Sequence, residues 1–329
     1  MQEKTIFTEK GIIIGEKNND VFVVKILSGD EKGKIVNVFG EKEEFQVGVY
    51  DFKKGDKIAL YIEKYPDEHF ENYSIQGYRH VDSLIIWFFI FCGIVILIGK
   101  KQGLMSLLSL FGGVAMILFL LIPGIKNGYN PVILTGLISF FTTVFTILLI
   151  TGNSKKSWIA IFGTIFGVVC AYIFAFLIAK TSGINGLGSE DARSFAILNV
   201  GFDYFGIFFA GIIIGALGAV MDTTISIASG LNEVKEKTGN IGFKGLLKSG
   251  MIIGGDVMGG MINTLVFAYL GTSLVVILSA SINGIGVLEF LNLNFISEEI
   301  LRSISGTAGL VLSIPLTALI GAFVFSRRN

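Results

Sequence analysis

Apolar positions fall into two regimes along this chain, and the change comes near residue 81. Before it, apolar residues come in short runs with period-two alternation, as in Val21–Leu27 and Lys57–Ile62. After it, they come in unbroken stretches of about 20 residues, the length that crosses a bilayer as a helix.

The first regime predicts strands over Gly11–Gly15, Val21–Leu27, Lys34–Phe39, Lys57–Ile62 and Tyr73–Tyr78. Turn-forming residues separate them: Asn18-Asn19-Asp20, Ser28-Gly29-Asp30 and Lys54-Gly55-Asp56. Five short strands in so little chain predict a small all-β barrel of OB or SH3-like type, residues 1–81. No interleaving of aromatic and basic residues points to single-stranded nucleic acid, so no nucleic-acid partner is expected. A cap or a partner-docking module, facing a protein or envelope partner, is the expected role.

The second regime predicts an α-helical polytopic membrane domain over 82–329. Seven spans are expected, at 83–99, 104–122, 131–151, 157–179, 205–228, 250–271 and 303–325. Residues 272–302 begin with the Gly-broken TSLVVILSASINGIG. This segment is expected to continue the sixth span or to form a re-entrant piece, with a full eighth span as the alternative.

Composition sharpens this division. The mean hydropathy is +0.71, and 52% of the 329 residues are hydrophobic, as in integral membrane proteins. Residues 1–81 hold 12 Lys+Arg and 15 Asp+Glu, about half of all the charges in the chain. Both cysteines, Cys92 and Cys170, fall in apolar spans, and His69 and His80 stand alone, so neither a disulfide framework nor a metal site is expected. No cofactor is expected either.

Basic residues orient the spans. With the N-terminal domain outside, the inner loops and C-terminal tail hold ten Lys and Arg, and the outer loops hold four: Lys126, Lys180, Arg193 and Arg302. The positive-inside rule then predicts a multi-pass protein of the cell membrane with a cytoplasmic C-terminus. Met1–Lys10 is polar and carries no secretory signal. Export of the barrel therefore falls to the first span, or to an anchor missing from this chain.

The candidate chemistry lies between Tyr204 and Gly271. Each of the two spans there carries one aspartate, Asp222 and Asp256. Asp222 precedes Ser229, at the end of its span, by the same seven residues that separate Asp256 from Ser249, at the start of the next. Both carboxyls should thus lie about 10 Å inside the same face of the bilayer. A charged residue near the bilayer centre costs roughly 2.5–3.5 kcal/mol on insertion scales, so its default reading is functional, and both aspartate stripes are expected to face the bundle interior and each other. Steps of three and four from Asp222 reach Gly218, Gly215 and Gly211 one way and Ser226 the other; those from Asp256 reach Gly260 and Asn263, with Thr264 beside them. The glycines let helices approach closely, and Ser226, Asn263 and Thr264 could join the carboxyls in binding a cation or a proton. In the last span, Gly306, Gly309, Ser313 and Thr317 form another small-residue stripe beside Pro315, either a third wall of the site or ordinary packing.

Three stretches carry a family resemblance: FDYFGIFFAGIIIGALGAVMDTTISIASGLNEV, SGMIIGGDVMGGMINTLVFAYLG and EEILRSISGTAGLVLSIPLTALI. With KQGLMSLLSL, the IPGI…NP turn from Pro123 to Pro131, and GNSKK, they resemble the YibE/F-like family of bacterial multispanning membrane proteins over nearly all of residues 80–329. In that family the second motif usually reads G-R-D-x-M-G-T-M; here Gly255 stands for the arginine and Gly260 for the threonine. If that arginine pairs with the aspartate in relatives, Asp256 lacks its partner here. Relatives often carry an extra N-terminal span that this sequence lacks. The resemblance implies a fold and membrane residence but no reaction.

Three functions remain open on the residues. A transporter or permease would use the paired aspartates for a cation or proton. An intramembrane aspartyl protease would share a proton between them, although Ile253 stands where the usual Gly-x-Gly-Asp pattern needs glycine, and Pro-Leu-Thr-Ala departs from the usual Pro-Ala-Leu. A non-catalytic envelope scaffold would work through the barrel alone.

Overall fold

The computed structural model describes residues 5–18, 21–39, 52–64, 71–239 and 241–326. The chain divides into two compact units, Met1–Ile94 and Val95–Asn329.

Within the first unit, β1 (Thr5–Asn18), β2 (Val21–Ile26), β3 (Ile35–Phe39), β4 (Lys57–Lys64) and β5 (Glu71–Tyr78) close in the order β1-β2-β3-β5-β4. All pairings are antiparallel except the short β3–β5 seam, Phe39 to Ser74. The expected small barrel is therefore present, with a longer first strand than the pattern indicated. Alternation explains its core: Phe22, Val24 and Ile26 of β2 and Ile58, Leu60 and Ile62 of β4 point inward, while the residues between them do not. The expected turn at Asn18-Asn19-Asp20 lies partly outside the described residues. The Ser28-Gly29-Asp30 and Lys54-Gly55-Asp56 turns form as expected, with Gly29 and Gly55 at positive φ.

The helices are α1 (Val81–Met116), a π-helical turn (Ile117–Leu121) running into α2 (Ile122–Lys126), α3 (Pro131–Thr151), α4 (Lys155–Ser182), α5 (Glu190–Leu198), α6 (Tyr204–Thr238), α7 (Phe243–Thr272), α8 (Leu274–Ile282), α9 (Val287–Leu291) and α10 (Asn294–Ser326). Six helices among the described residues are long and apolar enough to cross a membrane, counting Val81–Lys126 as one. That helix holds the first two of the seven expected spans, and it breaks at Lys100, whose φ of 49° and ψ of −128° are not helical. The chain turns back there, so that the Val95 carbonyl lies against Gly103. Residues 272–302 contain only α8, α9 and the start of α10. At a rise of about 1.5 Å per residue neither short helix crosses a bilayer, so no eighth span forms.

Small residues hold the bundle together. α4, α6 and α10 form its centre, where a Cβ placed on Gly309 would stand 2.5 Å from the Gly167 carbonyl oxygen and 2.6 Å from the Ala171 Cβ. Close backbone approach of this kind replaces the hydrophobic drive that lipid does not supply. A hydroxyl pair bridges α4 and α6, Thr164 to Thr224 at 2.7 Å, one hydroxyl donating to the other while the second donates to a carbonyl of its own helix. The stripe on α10 is thus packing: Gly309, Ser313 and Thr317 are buried against Gly163 and Gly167 of α4.

Candidate functional site

Local signals fix the two helices that carry the aspartates. Asp203 caps α6, its carboxylate accepting from the Gly206 N–H at 2.8 Å. The helix runs to Thr238 and stops at Gly239, which has φ +67°. α7 starts after Gly242 and returns antiparallel. Three close approaches set the register of this hairpin: Gly230 with Ile253, Ile227 with Gly254, and Gly215 with the Tyr269 hydroxyl.

This register places Asp256 level with Ile227 or nearby, and Asp222 level with Gly260 or nearby. The two carboxylates therefore lie at similar depth, offset by about one helical turn, or about 5 Å. Direction separates them from the interior. Along α6, Ile213, Leu217, Val220, Thr224, Ile227 and Leu231 are buried, and Asp222 is exposed on the other side together with Gly211, Gly215, Gly218 and Ser226. Along α7, Gly250 and Gly254 pack against Ala318 and Ile314 of α10, whereas Asp256, Gly260, Asn263 and Thr264 are exposed. Both stripes expected from the spacing are real helix faces, but both point out of the bundle rather than into it as expected, because the buried faces of these helices are taken by packing against α4 and α10.

Those faces are open. A Cβ on Gly211, Gly218, Gly255, Gly259 or Gly260 would meet nothing within 4 Å. Ser226 and Thr264 donate to carbonyls of their own helices, Asp222 O at 2.8 Å and Gly260 O at 2.9 Å. Among the described residues neither the Asp222 nor the Asp256 carboxylate has a hydrogen-bond or ion-pair partner, and no group of carboxyl, thiol and imidazole side chains could hold a metal. Gly255 and Gly260 leave bare helix surface beside Asp256.

The family model described as YibE/F-like protein matches residues 87–327, most of the chain. The chain belongs to the YibE/F-like family. No curated protein and no solved structure matches it. The match covers the entire helical bundle except the start of α1, and so includes both aspartate stripes and the α4–α6–α10 centre.

A third acidic residue of the YibE/F-like domain went unmarked by the spacing argument. Glu298, near the start of α10, is 5% exposed, and its Oε1 accepts from the Gly188 N–H at 2.8 Å. Glycine is required at 188 because a Cβ there would stand 2.8 Å from the Asn294 backbone carbon, and it would also press on the Glu298 carboxyl. The signal was present in EEILR, where three charges precede an apolar helix. Adjacency to a span end made them look like loop charges.

Proposed function

We propose that this YibE/F-like protein is a cell-membrane transporter in which Asp222 and Asp256 bind a proton or a small cation. The observation that carries the reading is the placement of two unpaired carboxylates, about a turn apart in depth, on adjoining glycine-rich helix faces. An ionised side chain within a span is too costly to leave against lipid, so such residues face water-filled pathways or protein. The glycines keep that face clear of side chains, as a pathway requires, and Ser226, Asn263 and Thr264 supply neutral oxygen ligands along it. The ten-to-four distribution of basic residues supports an outside barrel and a cytoplasmic 229–249 loop. The peptidase reading has less support, because the Pro315 helix directs its small-residue stripe into α4 rather than toward the carboxylates.

The test is flux. Asp222→Asn and Asp256→Asn keep side-chain shape and remove the charge, so both variants should insert and remain folded. In liposomes with an imposed pH gradient, and with Na⁺ or K⁺ present, wild type should carry a proton or cation flux that both variants lose. Wild-type flux in both variants would refute the reading and leave the aspartates as structural groups.

A further inference from the structure

A second constellation lies at the end of the bundle where α4 finishes and α6 and α10 begin. A cavity of about 480 Å³ opens there, a volume in the range of small-molecule sites. Four aromatic rings line it, Phe195, Tyr204, Phe208 and Phe295, together with four ionisable groups, Asp191, Glu298, Glu299 and Arg302. These come from α5, α6 and α10, which no sequence spacing places together.

The charges do not balance. Arg302 faces Glu299 and Phe208: its Nη1 lies 3.5 Å from Glu299 Oε1 and its guanidinium carbon lies 5.5 Å from the centre of the Phe208 ring, while its buried Nε has no hydrogen-bond partner among the described residues. That leaves Glu298 and Asp191. Asp191 is exposed at the start of α5. Glu298 is buried and held by the backbone N–H groups of Gly188 and Gly186, and among the described residues no lysine or arginine nitrogen lies within ion-pair distance of it. Buried carboxylates are normally paired with a cation, and two backbone N–H groups with the more distant charge of Arg302 still leave part of the lone-pair capacity of this group unused. The carboxyls do not gather into a set that could hold a metal ion. Aromatic faces beside them suit a cation carried on an apolar body.

We propose that this cavity binds an organic ammonium ion, with the ammonium group on Glu298 and Asp191 and the apolar body against the aromatic rings. Gly211 is a wall of the cavity and also the first residue of the stripe that leads along α6 to Asp222. The ligand therefore stands at the head of that stripe, yet its binding does not depend on the transport reading.

The experiment is equilibrium calorimetry on the full chain in lipid nanodiscs at pH 7, with no gradient, so that it fails or succeeds apart from the flux assay. The probes are phenethylamine, its neutral analogue 2-phenylethanol and the anion phenylacetate. Phenethylamine should bind saturably, with the alcohol and the anion at least about tenfold weaker, because charge-assisted hydrogen bonds are lost. Glu298→Gln keeps an acceptor for Gly188 and should weaken phenethylamine binding about tenfold or more. Asp191→Asn, at an exposed position where folding is not at risk, should weaken it by a smaller factor. Absence of saturable binding to the wild type, equal binding of the alcohol, or wild-type affinity in both carboxyl variants would overturn the proposal.

Discussion

Replacing Gly309 with alanine tests whether backbone contact between α4 and α10 is the main constraint on the bundle. The added methyl would stand 2.5 Å from the Gly167 carbonyl oxygen, 2.6 Å from the Ala171 Cβ and 3.1 Å from the Ala171 nitrogen. Two of these atoms are backbone, so no side chain can rotate away. The helices must separate by nearly 1 Å to reach ordinary contact, and the packing of Val220 and Ser313 around Gly167 would loosen with them. Overpacking of a close-packed interior costs about 1–3 kcal/mol, and the better helix propensity of alanine returns up to about 1 kcal/mol. A net loss of about 1–2 kcal/mol is expected, equivalent to a fall in Tm of about 2–8 °C for a domain of this size. Gly218→Ala is the control, since a Cβ there meets nothing within 4 Å. Its stability should hold or rise by up to about 1 kcal/mol. Thermal unfolding of the purified proteins in one detergent gives the comparison. A Gly309→Ala protein as stable as wild type, or one no less stable than Gly218→Ala, would refute the packing argument.

Other outcomes follow from the same structure. In a background without Cys92 and Cys170, a cysteine at Ser28 should react with a membrane-impermeant reagent in intact cells and one at Thr238 should not; the reverse pattern would invert the orientation. Cysteines at Ile227 and Gly254 should crosslink on mild oxidation within one chain, whereas Phe209 paired with Gly254 should not, because the hairpin register sets only the first pair side by side. Lys100→Gly should raise stability by about 1 kcal/mol and Lys100→Val should lower it, since the left-handed backbone at this position favours glycine and penalises a β-branched side chain. Unfolding midpoints measured side by side would show either order.

Much of the architecture was legible in the order of residues. Period-two alternation sufficed for the barrel, because a strand with one face in a core must alternate, and Val24, Leu60 and their neighbours do so. Unbroken apolar runs located the spans, because a bilayer demands about 20 apolar residues whatever packs beside them. Helical spacing also grouped Asp222 with Gly211, Gly215 and Gly218, and Asp256 with Gly260 and Asn263, as faces that the helices do present.

Tertiary structure alone decided where those faces point. In a water-soluble helix the apolar side is the buried side, so the pattern itself tells inside from outside. In lipid both sides are apolar, and contact is chosen by small residues and close backbone approach. The stripe at Gly309, Ser313 and Thr317 therefore looks in sequence like the stripe at Gly211, Gly215 and Gly218, yet the first packs into α4 and the second faces out of the bundle. The reversal at Lys100 falls in the expected gap between the spans 83–99 and 104–122, and the structure adds its form, a single non-helical residue with Gly103 packed on the Val95 carbonyl. The cavity around Glu298 joins residues more than a hundred positions apart, held by the Gly188 N–H. Contacts of that range arise only from the way the helices pack, which no local pattern records.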